Sequence, residues 1–368
     1  MTNSSMAENP PAAYNWCLSS RDVCSFYERK LLRSVKVPYL IRDVKLGETC
    51  TLSPKEKRFQ GHWIHTLATR DQGAEAGQNK QTLVLLHGMG CGLSVYHQCI
   101  DELSSRYHVV AIDMPGFGLS SRPKFPEGAE EVEEMFVQAL EIWRREMKLS
   151  SFVLGGHSFG GYIASCFALK YPSLCSSLVL IDAWGFPELD PERIRKISPF
   201  LRTVNHIFMH VTDPVSMLRM FGPLGFSVFR RFRKRMVRRL DQETADALVS
   251  YLYHCNVCDV PTGPRGFRHL CGPLAFAKRP LLPRVEELNE LLPVTFIYGQ
   301  ESWINSDSGY EVRNRRRKMH TGVHVIAEAG HNIHFDQPHL LCHAILSCHP
   351  PPAHLKQLEI PRDFKFSV

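Results

Sequence analysis

One serine stands where its hydroxyl could act as a nucleophile. Gly156-His157-Ser158-Phe159-Gly160 sets Ser158 between two glycines, after a short apolar run and before a helical pattern from Tyr162 to Tyr171. A serine on a sharp strand-to-helix turn holds its Oγ clear of the backbone, and the glycines leave room where a Cβ would clash. The same turn aims the amide of Phe159 at a developing oxyanion. Attack needs a base. His331, in Ala329-Gly330-His331, lies just beyond an apolar run (Val323 to Ile326) and before the last helical pattern, which suits a base delivered beside the serine; His334 is the runner-up. A second oxyanion donor is expected at the amide of Met89, in His87-Gly88-Met89-Gly90, which ends another apolar run. The base needs an acid to orient it. The loop after Val294 to Tyr298 offers Glu301 and Asp307, and Asp182, after the preceding apolar run, is a more distant alternative. An amide in the acid's place lowers turnover about 10⁴-fold in serine proteases.

These groups need a scaffold that brings several strand ends together. Short apolar runs without period-two alternation recur at Thr82 to Leu86, Tyr107 to Ile112, Ser151 to Leu154, Leu178 to Ile181, Val294 to Tyr298 and Val323 to Ile326. Helical patterns lie between them, as at Val132, Met135, Phe136, Leu140, Trp143 and Met147. Such alternation predicts an α/β fold with a mostly parallel central sheet and helices on both faces. The alternation breaks from 187 to 282, a helical stretch rich in Phe, Met and Arg, which reads as a cap inserted over the site. The chain therefore divides into an N-terminal tail (1–49), a first core part (50–186), the cap (187–282), a second core part (283–349) and a C-terminal tail (350–368).

A net charge of +7 on 368 residues is mild and locally concentrated, and implies no nucleic-acid partner. Twelve cysteines lie scattered, with no framework spacing and no secretory leader pattern, so the thiols read as reduced and the compartment as cytoplasmic. His254-Cys255-x-x-Cys258 is metal-like, but no fourth ligand stands nearby in sequence; no metal and no cofactor is expected.

Two basic stretches bear on lipid. Val23, Phe26, Tyr27 and Leu31 recur at helical spacing among Arg21, Lys30, Arg33 and Lys36, behind Trp16. Such a helix either lies on an anionic lipid surface or docks on the protein's own body. In the cap, Arg230, Arg231 and Arg233 stand beside Phe229 and Phe232, either as a solvated face or as receivers of a phosphate head group.

Taken together, several segments resemble the α/β-hydrolase-domain branch that contains an N-acyl-phosphatidylethanolamine lipase and the lipase coactivator of lipid droplets. They are Leu85-Leu86-His87-Gly88, Asp113-Met114-Pro115-Gly116-Phe117-Gly118, Gly156 to Gly161, Ile181-Asp182-Ala183-Trp184-Gly185-Phe186-Pro187, Tyr253-His254-Cys255-Asn256 and Ala329-Gly330-His331. The resemblance implies an α/β-hydrolase fold with a helical cap, an acyl-lipid substrate, and a peripheral place on membranes or lipid droplets. The lipase keeps the elbow serine and the coactivator has asparagine there, so Ser158 favours the lipase. The family's H-x₄-D motif, linked to lysophosphatidate acyl transfer, is matched by His331 and Asp336, although Asp336 before Gln337-Pro338 also reads as a helix N-cap. The chain departs from the family at the triad aspartate, whose matching position holds Ser302 or Asn305, and in having only Trp16 near the N-terminus. The expected activity is acyl-lipid hydrolysis through an acyl-enzyme. The alternatives are a catalytically weak lipid binder that activates a partner lipase, and lysophosphatidic acid acyl transfer.

Overall fold

In the computed structural model, the short apolar runs pair into one eight-stranded sheet. The structure describes residues 9–11, 15–70, 80–190, 192, 198, 214–233, 236–316 and 320–348. Most of both tails, the polar loop at 71–79 and part of the cap lie outside the described residues.

The strands are β1 (Tyr39–Lys45), β2 (Trp63–Thr69), β3 (Gln81–Leu86), β4 (Tyr107–Ile112), β5 (Phe152–His157), β6 (Cys175–Ile181), β7 (Val294–Gly299) and β8 (Thr321–Ile326). Their order across the sheet is β1-β2-β4-β3-β5-β6-β7-β8. β1 and β2 pair antiparallel, β2 meets β4 antiparallel, and every later pairing is parallel. β5 is buried at every position, because helices cover both of its faces. The residues that follow β3, β5, β6, β7 and β8 therefore all emerge at one edge of the sheet, where open parallel sheets carry their sites.

The helices are α1 (Arg21–Leu32), α2 (Ile100–Ser104), α3 (Ala129–Glu146), α4 (Phe159–Lys170), α5 (Pro214–Met220), α6 (Gly225–Arg233), α7 (Gln242–Val257), α8 (Thr262–Leu270), α9 (Asp307–Arg315), α10 (Ile333–Asp336) and α11 (Pro338–Ser347). α3 buries Val132, Met135, Phe136, Leu140 and Trp143, the apolar face its periodicity predicts. Among the described residues, α5 to α8 lie in the interval between β6 and β7.

One feature near the N-terminus differs from the sequence expectation. The sheet begins at Tyr39, inside the segment read as a tail. β1 is an edge strand with a mostly solvent-touched pattern and polar residues at Arg42, Asp43 and Lys45, so no apolar run announces it. α1 docks on the body. It buries Val23, Cys24, Leu31 and Leu32, and packs along α7. Its Glu28, 1% exposed, accepts a hydrogen bond from His65 Nε2 at 3.0 Å, and Asp43 takes the other ring nitrogen at 2.6 Å. The apolar stripe of α1 is thus used against the protein itself.

Candidate active site

Ser158 follows β5 directly and precedes α4, at φ 52° and ψ −116°. A non-glycine residue in that region is strained and persists only where its surroundings enforce it. Here the Ser158 amide donates to Ile181 O at 2.9 Å, and Ser158 O accepts from Trp184 N at 3.1 Å. The neighbouring glycines have a steric reason. A Cβ on Gly156 would lie 2.3 Å from Gly160 O, and one on Gly160 would lie 2.4 Å from Leu86 O. The serine is consequently held at the sheet edge with its side chain free of its own helix.

His331, in the loop between β8 and α10, meets it. Ser158 Oγ–H donates to His331 Nε2 at 3.0 Å, and His331 Nδ1–H donates to Asp182 Oδ2 at 2.6 Å. Asp182 is fully buried, follows β6 and is itself strained at φ 43°. Its Oδ1 accepts from the Gly299 amide at 3.2 Å, and its Oδ2 also accepts from the Ser302 hydroxyl. A carboxylate so supplied with donors is well placed to orient the imidazole and offset its charge.

This corrects the sequence preference for the acid. The Glu301 carboxylate instead pairs with Arg238 at 3.0 Å on the surface. Asp307, exposed at the start of α9, accepts from the Asn305 side chain. Neither touches His331. His334 lies beneath the site with both ring nitrogens unpartnered among the described residues, and burial beside His331 and His97 pushes its pKa down to about 3. It packs its ring on His157 at 4.6 Å and does not reach Ser158 by hydrogen bond.

The two expected oxyanion residues flank the serine. Phe159 is the first residue of α4, where backbone N–H groups are free of helical partners. Met89 lines the same cavity as Ser158 and His331. A Cβ on Gly88 would lie 2.7 Å from His157 Nδ1 and 3.3 Å from Ser158 Cβ, so a glycine is required for the loop to come this close. Sequence reasoning missed the groups that hold this loop. His87 Nδ1–H donates to Gly88 O at 2.7 Å while its Nε2 accepts from Met114 N at 3.0 Å. Burial, partly opposed by the Gly88 carbonyl, takes the His87 pKa down to about 4, so the ring is neutral in this role. Asn256 of α7 donates to Gly90 O at 2.7 Å, and Gly90 has φ +72°. The Asn256 contact spans 166 residues of sequence and had no local signal.

A cavity of about 300 Å³ opens on Ser158. Trp184, Pro264, Phe267 and Cys271 give it apolar walls, and Arg233 and Arg268 add two cationic side chains. Of the three cap arginines singled out in the sequence, only Arg233 lines the cavity. Arg230 pairs with Asp246 at 3.3 Å, and Arg231 is exposed at the end of α6. Arg268 was not singled out, because nothing in α8 marks which face meets the cavity. Asp336 is not among the lining residues. Gln337 occupies the N-cap position of α11, so Asp336 does not cap that helix; its carboxylate accepts from the Gly330 amide at 2.8 Å. The metal-like motif is divided: His254 Nδ1 shares a hydrogen bond with Ser19 Oγ at 2.8 Å, and Cys258 Sγ lies 3.9 Å from Arg122 Nη2.

Comparison with known proteins agrees with this geometry. Residues 81–338 match the model of the alpha/beta hydrolase fold family. The chain is 39% identical over 263 residues to the 1-acylglycerol-3-phosphate O-acyltransferase ABHD5 of Rattus norvegicus, covering 71% of this chain and 74% of that one. It is 33% identical over 317 residues to the (lyso)-N-acylphosphatidylethanolamine lipase of Homo sapiens, covering 85% and 87%. Among solved structures, the carboxylesterase CesB of Bacillus subtilis superposes with a TM-score of 0.58 at 14% identity, over 88% of this chain and 96% of that one. A membrane phospholipase A gives 0.59 at 20% identity, over 89% of each. The structural likenesses speak for the fold. With the family match and the two sequence relatives, they establish that the chain belongs to the alpha/beta hydrolase fold family, in the branch of these lipases and acyltransferases.

Proposed function

We propose that the protein is a serine hydrolase of acyl lipids of the phospholipase or N-acylphosphatidylethanolamine lipase type. The observation that carries this reading is the continuous relay Ser158–His331–Asp182 opening on an apolar cavity. His331 Nε2 takes the Ser158 proton as Oγ bonds to the acyl carbonyl carbon, and the amides of Met89 and Phe159 hold the oxyanion. Collapse breaks the bond to the leaving group, which takes the proton from His331, and leaves the acyl chain on Ser158. Water, deprotonated by His331, then attacks the acyl-serine; the bond from Oγ to the acyl carbon breaks, Ser158 Oγ takes the proton back from His331, and the acid departs. The apolar walls suit the acyl chain, and Arg233 and Arg268 suit a phosphate on the head group.

Peripheral association with a membrane or droplet surface from the cytoplasmic side fits the same reading. Trp16 (69% exposed), Met220 (76%), Leu224 (67%) and Phe232 (80%) present apolar side chains on and beside the cap. Gly222 lies against the Trp16 ring, where a Cβ would approach within 2.3 Å, so the tryptophan and the cap form one surface. No described helix is long and apolar enough to cross a membrane.

A second reading, acyl transfer to a lysophospholipid, draws on the relative named as an acyltransferase and needs only that the second attack come from an acceptor hydroxyl. The lipid-binding coactivator reading keeps the basic cap as its motive, while the contact of Asp182 with His331 speaks against its other motive, a missing acid. The test is product analysis by mass spectrometry with purified protein and vesicles of N-acylphosphatidylethanolamine or lysophospholipid. Free fatty acid released by wild type and not by Ser158→Ala supports hydrolysis. Release that survives Ser158→Ala sinks it, and acyl chain appearing on an added lysophospholipid acceptor moves the reading to transfer.

A further inference from the structure

The loop that carries His331 is held at successive peptides. Ala329 O accepts from the backbone amide of Glu301 at 2.8 Å. The Gly330 amide donates to Asp336 Oδ2 at 2.8 Å. His331 O accepts from His157 Nε2–H at 2.8 Å. The loop also presses on β7 so closely that a Cβ on Gly299 would lie 2.2 Å from Gly330 O. Two of these groups are side chains outside the relay. His157 is 2% exposed and sits inside the elbow itself; its carbonyl partner requires the proton on Nε2, and its Nδ1 faces Gly88. It therefore touches the loops of the nucleophile, of the base and of the oxyanion hole. Asp336 is the second member of the H-x₄-D pair, yet its carboxylate is turned onto the base loop's backbone.

From this arrangement we infer that His157 and Asp336 are positioning residues that clamp the peptide bearing the base. The His331–Asp336 motif then acts through the loop and not on an acyl acceptor. The inference rests on the Ser158 chemistry proposed above. Its physical content is that His331 must serve Ser158 and Asp182 at once, and a displacement of about 1 Å at such a site costs roughly 10²-fold in rate. Burial, with His334 and His331 adding to it, pushes the His157 pKa well down, so the ring stays neutral while His331 becomes cationic 4.8 Å away.

The test measures three rates on the full chain: phosphonylation by a fluorophosphonate, lipid hydrolysis, and acyl transfer from oleoyl-coenzyme A to 1-oleoyl lysophosphatidate. For Asp336→Ala the clamp predicts that every rate detectable in wild type falls together, by roughly 10- to 100-fold. Asp336→Asn, which keeps an acceptor oxygen for Gly330 N–H, should recover most of the rate. His157→Gln, with a donor near the Nε2 position, should outperform His157→Met. If Asp336→Ala does not fold, the Asp336→Asn variant and the His157 pair carry the test, as their folded states are checked by thermal melting. Loss of transfer alone, with phosphonylation intact, would overturn the inference and return Asp336 to the acceptor. A reactive wild type with unchanged variants would overturn the clamp but leave the Ser158 chemistry standing. An inert wild type would overturn both.

Discussion

Asp182 Oδ2 lies 2.6 Å from His331 Nδ1, although the aspartate leaves β6 and the loop after β7 was the expected source of the acid. The Ser302 hydroxyl, from that expected loop, reaches across to the same oxygen. The loop after β7 thus donates a hydrogen bond to the carboxylate that His331 contacts.

This relationship separates three carboxylates by experiment. Asp182→Asn should lower the rate of Ser158 acylation by about 10⁴-fold, as loss of the triad acid does elsewhere. Glu301→Gln and Asp307→Asn, both exposed, should stay within roughly threefold of wild type. Steady-state hydrolysis of a soluble p-nitrophenyl ester by the three variants checks this. A large loss at Glu301 or Asp307 would return the acid to the β7 loop.

The elbow glycines predict a stability effect. Gly160→Ala places a methyl 2.4 Å from Leu86 O, a backbone atom that cannot turn aside. Overpacking of this kind costs about 1–3 kcal/mol. The urea midpoint should fall accordingly, and an unchanged midpoint would mean that β3 and α4 are less closely apposed than described.

Arg233 and Arg230 should part company. Arg233 lines the cavity, and Arg230 is engaged with Asp246 on the surface. Arg233→Gln should raise KM for a phosphate-bearing lipid roughly tenfold or more, since a charge-assisted hydrogen bond contributes about 1.5–3 kcal/mol. Arg230→Gln should change it little. The control is a neutral ester substrate, for which neither variant should differ from wild type. Equal effects of both variants would point to general surface charge.

The contact that docks α1 predicts a pH dependence of stability. Burial opposes a charge on His65, but Glu28 and Asp43 outweigh it and hold its pKa up at about 10. A histidine raised from its ordinary 6.5 contributes its full stabilisation below that value and loses it as pH rises through about 10. The thermal midpoint of wild type should therefore fall between about pH 6.5 and 10 more steeply than that of His65→Gln. Parallel curves would show that the ring is not charged in the folded protein.

The legibility of the site in the sequence follows the range of each interaction. The turn that carries Ser158 and Phe159 and the close approach of the Met89 loop were readable because the glycines that shape them are sequence neighbours. His331 was readable because a strand pattern delivers it. Asp182 was weighed only as a remote alternative, since its contact with His331 spans 149 residues and depends on which strand lies beside β7. Glu301 was attractive by position, yet Arg238 holds it at the surface. β1 escaped notice because an edge strand needs few apolar residues, and α1 stayed open between a lipid surface and the protein's own body because its stripe of Val23, Leu31 and their neighbours suits lipid and α7 equally well. The contact of Asn256 with Gly90 and the place of Arg268 gave no signal, since helix periodicity marks a buried face without saying what that face meets.

The most direct test of the account is the intact mass of the pure protein after exposure to a fluorophosphonate. A Ser158 nucleophile gives one covalent phosphonyl adduct, mapped to Ser158, in wild type, its absence in Ser158→Ala, and strongly slowed formation in His331→Ala and Asp182→Asn. An unmodified wild type, or an adduct that persists in Ser158→Ala, would contradict it.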